Sequence, residues 1–181
     1  MVGARCASPR GGPSKQLRQY QGRAFTLGYP DNWRTFADSQ SAMAAIAPPD
    51  GVVQDRNGKV AIGYGALVSY YFPQSDEIEL RRETATDKLR NDTDDFVRQL
   101  QQADRNMRAG NHRNLTVNGF PALVTTLNTT SPFQGETEVD QLVTVVRPQG
   151  LWYMVFISPQ SEARDIQPVF DQMLRSVRFL N

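Results

Sequence analysis

The segment 151–158, LWYMVFIS, constrains the fold more than any other stretch of the chain. Side chains alternate along an extended backbone, so Leu151, Tyr153, Val155 and Ile157 share one side and Trp152, Met154 and Phe156 the other. Both sides are apolar. A strand with one apolar side can rest on a core and face water; a strand with two must be covered front and back. Residues 60–72, 121–129 and 139–147 have the same character. In 60–72, Ile62, Tyr64, Ala66, Val68 and Tyr70 oppose Ala61, Gly63, Gly65, Leu67 and Ser69. Pro148-Gln149-Gly150 separates two of these segments, a spacing that makes them antiparallel hairpin partners. Shorter strands or hairpin arms are predicted at 20–29, 33–36 and 42–47, and a turn cluster at 55–59.

Two helices supply the cover. In 165–177, Ile166, Val169, Phe170, Met173, Leu174 and Val177 fall on one helical face, with Asp165 placed as N-cap and Pro168 in the first turn. A second helix is predicted over 83–102, with Leu89, Thr93, Phe96, Val97 and Leu100 inward. Its outer face carries Lys88, Arg90, Asp92, Asp95, Arg98, Gln99 and Gln102. Residues 104–114 read as a polar loop. The fold class is therefore α+β: an αβα sandwich whose mainly antiparallel central sheet has about six or seven strands and helices on both faces.

The first 18 residues, rich in Gly, Pro, Ser and Arg, lack the apolar surface to offset their ordering entropy and read as a linker or tail. Residues 19–181 then form one domain, in keeping with a length of 181. A chain that opens on a linker suggests a longer parent with something upstream. With 20 Lys and Arg against 19 Asp and Glu, the chain lacks the basic excess that nucleic-acid binding draws on. No apolar run approaches the roughly 18 residues a spanning helix needs, so membrane insertion is not expected. One cysteine, Cys6, cannot form an internal disulfide.

Catalytic equipment is scarce. A zinc peptidase needs two histidines on one helical turn plus a carboxylate, and His112 is the single histidine. It reads as exposed and inert. Cys6 has no base or helix N-terminus beside it to activate its thiol. Gly63-Tyr64-Gly65 matches only G-x-G, with a strand continuing through it, so the glycines read as places where another backbone lies close. Glu136, Glu138 and Asp140 open a strand at period two. They read first as a solvated strand start at the sheet edge, and they are the candidates for a metal, since a hard cation takes clustered carboxylate oxygens. No catalytic residue, cofactor or cofactor-binding residue is assigned. Trp33, Tyr64, Tyr70, Tyr71 and Trp152 read as core or sheet packing.

Several short motifs carry a family resemblance: Phe25-x-x-x-Tyr29-Pro30-x-x-Trp33, Gly119-x-Pro121-Ala122, Tyr153, Pro159 and Phe170-x-x-Met173-x-x-Ser176. Together with the order of elements over 20–180, they resemble the PsbP-like superfamily, which includes the Mog-type Ran-binding proteins and the DcrB-like lipoproteins. Thr84-Ala85-Thr86, Thr125-x-Leu127-x-x-x-Ser131-Pro132 and Met173-x-x-Ser176-Val177-Arg178 look like the domain that follows the catalytic part of bacterial HtpX-like zinc metallopeptidases. The HExxH of those peptidases is absent from these residues, so no peptidase activity carries over. The resemblance implies a non-catalytic accessory or interaction domain, extracytoplasmic, whose partner is a protein or its own upstream domain. Its competitor is a small ligand- or cation-binding protein, or a hydrolase, with a pocket at the sheet edge near Glu136, Glu138 and Asp140.

Overall fold

The computed structural model describes residues 12–36, 43–54, 60–73, 84–133 and 135–180. In chain order the strands are β1 (Leu17–Gln21), β2 (Phe25–Pro30), β3 (Arg34–Thr35), β4 (Ala44–Ala47), β5 (Val52–Gln54), β6 (Val60–Ile62) and β7 (Gly65–Tyr71). Helix α1 (Ala85–Ala103) follows, then β8 (Arg108–Ala109), β9 (Arg113–Val117), β10 (Phe120–Thr130), β11 (Thr137–Arg147), β12 (Gly150–Pro159), α2 (Ala163–Ser176) and β13 (Arg178–Phe179). Cys6 and the 55–59 turn cluster lie outside the described residues.

The two-faced segment becomes β12, flanked by β7 and β11 in an antiparallel sheet of eight strands. The path runs β3-β4-β7-β12-β11-β10-β8, with β9 on the same side of β10 as β8. On one face Trp152, Met154 and Phe156 join Phe170, Met173 and Ile166 of α2. On the other, Leu151, Tyr153 and Val155 meet Leu89, Phe96 and Val97 of α1. Both sides of β12 are thus covered, as its sequence demands. The α2 face is shared with a small sheet of order β1-β2-β13, whose Phe25, Leu27 and Tyr29 complete that core. Gly28 N–H donates to Ser176 Oγ at 2.7 Å, tying this sheet to the end of α2.

Local chemistry explains the element boundaries. Thr84 caps α1, its Oγ1 accepting from Asp87 N–H at 3.1 Å. Midway along α1, Thr93 Oγ1 bonds its own Leu89 carbonyl and lies 2.8 Å from Thr144 Oγ1 of β11. The β11–β12 turn is Pro148-Gln149, with Arg147 opposite Gly150.

Several expectations need correction. Leu17 and Arg18, counted with the tail, are the first residues of β1, because they pair with Pro30 and Tyr29. The strand over 60–72 does not run through: it breaks at Gly63 and Tyr64, whose N–H groups both turn to the Gly51 carbonyl. The glycines there do admit close neighbours. A Cβ on Gly63 would meet the Phe133 ring at 2.4 Å, and one on Gly65, at φ +152°, the Ile46 carbonyl at 2.4 Å. Helix α2 starts earlier than Asp165, after Glu162, so Asp165 lies in its first turn and Pro168 further inside. Asp92, placed on the outer face of α1, is buried and held by Lys88 Nζ at 2.9 Å. The polar loop over 104–114 contains β8 and the start of β9.

Candidate functional site

The sequence-level candidates do not stay together. Alternation carries Glu138 and Asp140 to the α1 face of β11, the face of Leu142 and Thr144. Strand β11 is no edge, since β10 and β12 flank it. The two carboxyls are therefore buried, at 6% and 4% exposure, rather than solvated. Glu136 precedes β11 and lines an open depression of about 360 Å³ with Gly135, Thr137, Gln160 and Ser161, to which neither Glu138 nor Asp140 contributes. Among the described residues no three His, Cys, Asp or Glu side chains are placed to hold a metal ion.

The buried pair has its own electrostatics. With both groups ionised, Glu138 Oε2 and Asp140 Oδ1 would have no hydrogen-bond donor. Burial raises Glu138 to about 9, helped by the charge of Asp140, its hydrogen bond to Asp140 and the charge of Asp104. Burial also raises Asp140, to about 7, against hydrogen bonds from Glu138 and the Ser158 backbone. One proton shared within the pair would supply a donor between the two carboxyls. Asp104, at the end of α1, accepts from Thr129 Oγ1 on β10, the strand beside Glu138.

His112 is not the exposed residue expected. Its side chain is 10% exposed, with Nδ1 at 2.6 Å from Thr125 Oγ1 and Nε2 at 2.8 Å from Asp94 Oδ1. It pins the chain between β8 and β9 to α1.

A second feature was not singled out from the sequence. Strand β9 pairs with β10 on one side, and among the described residues no strand pairs with its other side. The two are joined by Asn118-Gly119, both with positive φ, +48° and +81°. That is a two-residue mirror-image turn, for which Asn-Gly is the strongest short signal. This dipeptide could have revealed the hairpin. Asn118 Oδ1 also accepts from Phe179 N–H at 2.8 Å, anchoring the hairpin tip to β13.

Between β9 and the last turns of α2 runs an open groove of about 460 Å³. Residues 115–119 line one side, and Asp171, Leu174, Arg175 and Arg178 the other. Leu115 is 36% exposed, and Arg175 and Arg178 are exposed. Arg178 Nη1 donates to the carbonyls of Arg175 and Val177 at 2.9 and 2.7 Å, which fixes that guanidinium against the helix end. Next to the hairpin tip, Arg147 lies over the rings of Phe120 and Phe179, at 4.0 and 4.6 Å from their centroids.

The architecture defines a class: an α+β sandwich of PsbP/Mog-like fold, with a large antiparallel sheet and, among the described residues, no closed barrel. Among solved structures it is similar to the cyanobacterial PsbP, CyanoP, from Synechocystis sp. PCC 6803, with a TM-score of 0.52 at 13% identity, covering 98% of this chain and 99% of that one. It is also similar to the Saccharomyces cerevisiae Ran-binding protein Mog1p, with a TM-score of 0.53 at 11% identity, covering 91% and 96%. No family model matches the chain. No curated protein matches it. These likenesses establish the fold and leave function to the site.

Proposed function

We propose that this chain is a non-catalytic accessory domain that binds a protein partner. The observation that carries the reading is the groove between the unpaired side of β9 and the end of α2. An unpaired strand offers backbone donors and acceptors in a row, and a helix beside it offers side chains, an arrangement that receives an extended segment of another chain. Asn118 and Arg178 hold both walls in place, which lowers the ordering cost of binding. One protein of this fold, Mog1p, is a Ran-binding protein, which is work of the same class; no residue of it is carried over. The finer proposals are that the domain follows a zinc metallopeptidase, works outside the cytoplasm and docks its own upstream domain. They rest on the sequence motifs quoted above. Among the described residues no helix is long and apolar enough to cross a membrane.

The test is site-specific photo-cross-linking in the cells that make the protein. A benzophenone side chain at Leu115 yields one dominant protein adduct. The same group at Thr35, on β3 at the opposite end of the sheet, does not. Equal labelling from both positions, or none from 115, overturns the reading.

A further inference from the structure

Resting on that reading, we infer that the occupant of the groove is an acidic, extended peptide segment that adds to β9 as a strand and sets carboxylates against Arg175 and Arg178. The backbone argument comes first. Val117 and Phe120 close a two-residue turn, and the closing pair of such a hairpin exchanges both of its hydrogen bonds. Alternation makes Leu115–Ala122 and Arg113–Val124 the next bonded pairs. Asn114 and Thr116 therefore turn their N–H and C=O groups away from β10, toward the open side. Pro121 stands opposite Thr116, where it needs no N–H toward β9. Two outward residues on one strand serve a segment of roughly five residues.

Side chains set the chemistry. Leu115 shares the face of Val117, which belongs to the α2 core, and lines the groove together with Leu174. This gives an apolar floor for one side chain of the added strand. Arg175 and Arg178 stand over it, and among the described residues neither has a carboxylate in ion-pair distance. Arg113, also exposed, adds a third positive charge at the far end of β9. Asp171, which accepts from Gln167 Nε2 at 2.8 Å, keeps an opposing charge on the wall, so the lining carries two arginines against one carboxylate. Arg178 is held by two backbone carbonyls, and with no carboxylate among the described residues paired to either guanidinium the pair favours a carboxylate over any neutral or basic side chain. Both halves of the recognition, ladder and charge, are then supplied by residues already in place.

The experiment selects a random dodecamer peptide library on the whole chain and maps the selected peptides by amide NMR shifts. Selected peptides rich in Asp and Glu, shifting Asn114 and Thr116 and weakened about tenfold or more by Arg175→Glu, support the inference. Arg175 is exposed, and an unchanged amide dispersion shows that the variant is folded. Thr116→Pro, which removes an outward N–H without touching a bond to β10, also abolishes binding. Peptides that shift β9 without acidic enrichment, or that ignore Arg175→Glu, overturn the acidic occupant and leave the docking groove standing. Peptides that map elsewhere, or a selection that enriches nothing, overturn both.

Discussion

Raising pH deprotonates the buried carboxyl pair, and the folded chain should weaken as a result. Glu138 is raised from 4.5 to about 9 and Asp140 from 3.8 to about 7, burial being the first cause for each. Between those values the folded chain holds more protons than the unfolded chain, so stability falls as pH rises. The contribution is fully present below the unfolded values of 3.8 and 4.5 and is lost as pH climbs through about 9. From about pH 7 to about 9 the pair keeps about one extra proton. One proton corresponds to a slope of about 1.4 kcal/mol per pH unit, or a loss of about 3 kcal/mol across that window. Glu138→Gln removes one of the two titrating carboxyls while its amide can still donate to Asp140, so the variant's stability should fall less steeply over the same range. Urea midpoints read by tryptophan fluorescence suit the measurement, since Trp33 and Trp152 are 2% and 0% exposed. Tyr71, raised to about 12 by burial and its hydrogen bond to Asp95, stays neutral throughout. A flat wild-type profile, or equal slopes for wild type and Glu138→Gln, would refute the shared proton.

Two further perturbations test the frame that holds the groove. Phe170 is 2% exposed and stacks on Phe156 at 4.6 Å between centroids, so Phe170→Ala should cost about 3–5 kcal/mol in urea unfolding. A loss below about 1 kcal/mol would mean that α2 is not docked on the sheet. Thr84→Ala removes the cap of α1 and should cost about 1 kcal/mol, with Thr84→Ser restoring most of it in the same assay.

The central architecture was legible because burial on two faces leaves apolar side chains at successive positions of a short run bounded by turn residues. Trp152 and Tyr153 are adjacent and both large, and a strand holding such a pair has one ring on each side. The rings indeed enter opposite cores. Helix α2 was legible for a similar reason, since Ile166, Phe170 and Met173 repeat at helical spacing and all three are buried. The carboxyl pair was half legible. Period two placed Glu138 and Asp140 on one face of a strand, and that was right. Which neighbours flank that strand is a matter of topology, and acidic side chains gave no sign that β10 and β12 would enclose them. The burial of Asp92 and the partners of His112 were hidden likewise, because Asp92 is covered and Asp94 and Thr125 reach His112 only once α1 lies on the sheet, whereas Lys88 is a neighbour of Asp92 on the helix itself.

The groove escaped for a more instructive reason. Its walls come from residues 115–119 and from the end of α2; the polar loop read over 104–114 takes in Arg113 and Asn114, the first residues of β9, and 115–117 are too short a run to read as a strand. Yet a strand with an open side must be polar if it is not to pair with every other open strand it meets. The polarity that hides β9 from a search for strands is also what discourages indiscriminate pairing along its open side. Its single exposed aliphatic, Leu115, is then the residue to weigh. Between polar neighbours, one apolar side chain opposite Leu174 adds little to the core, which Val117 already closes at 2% exposure. The 36% of the Leu115 surface left open is what the proposed partner strand would cover.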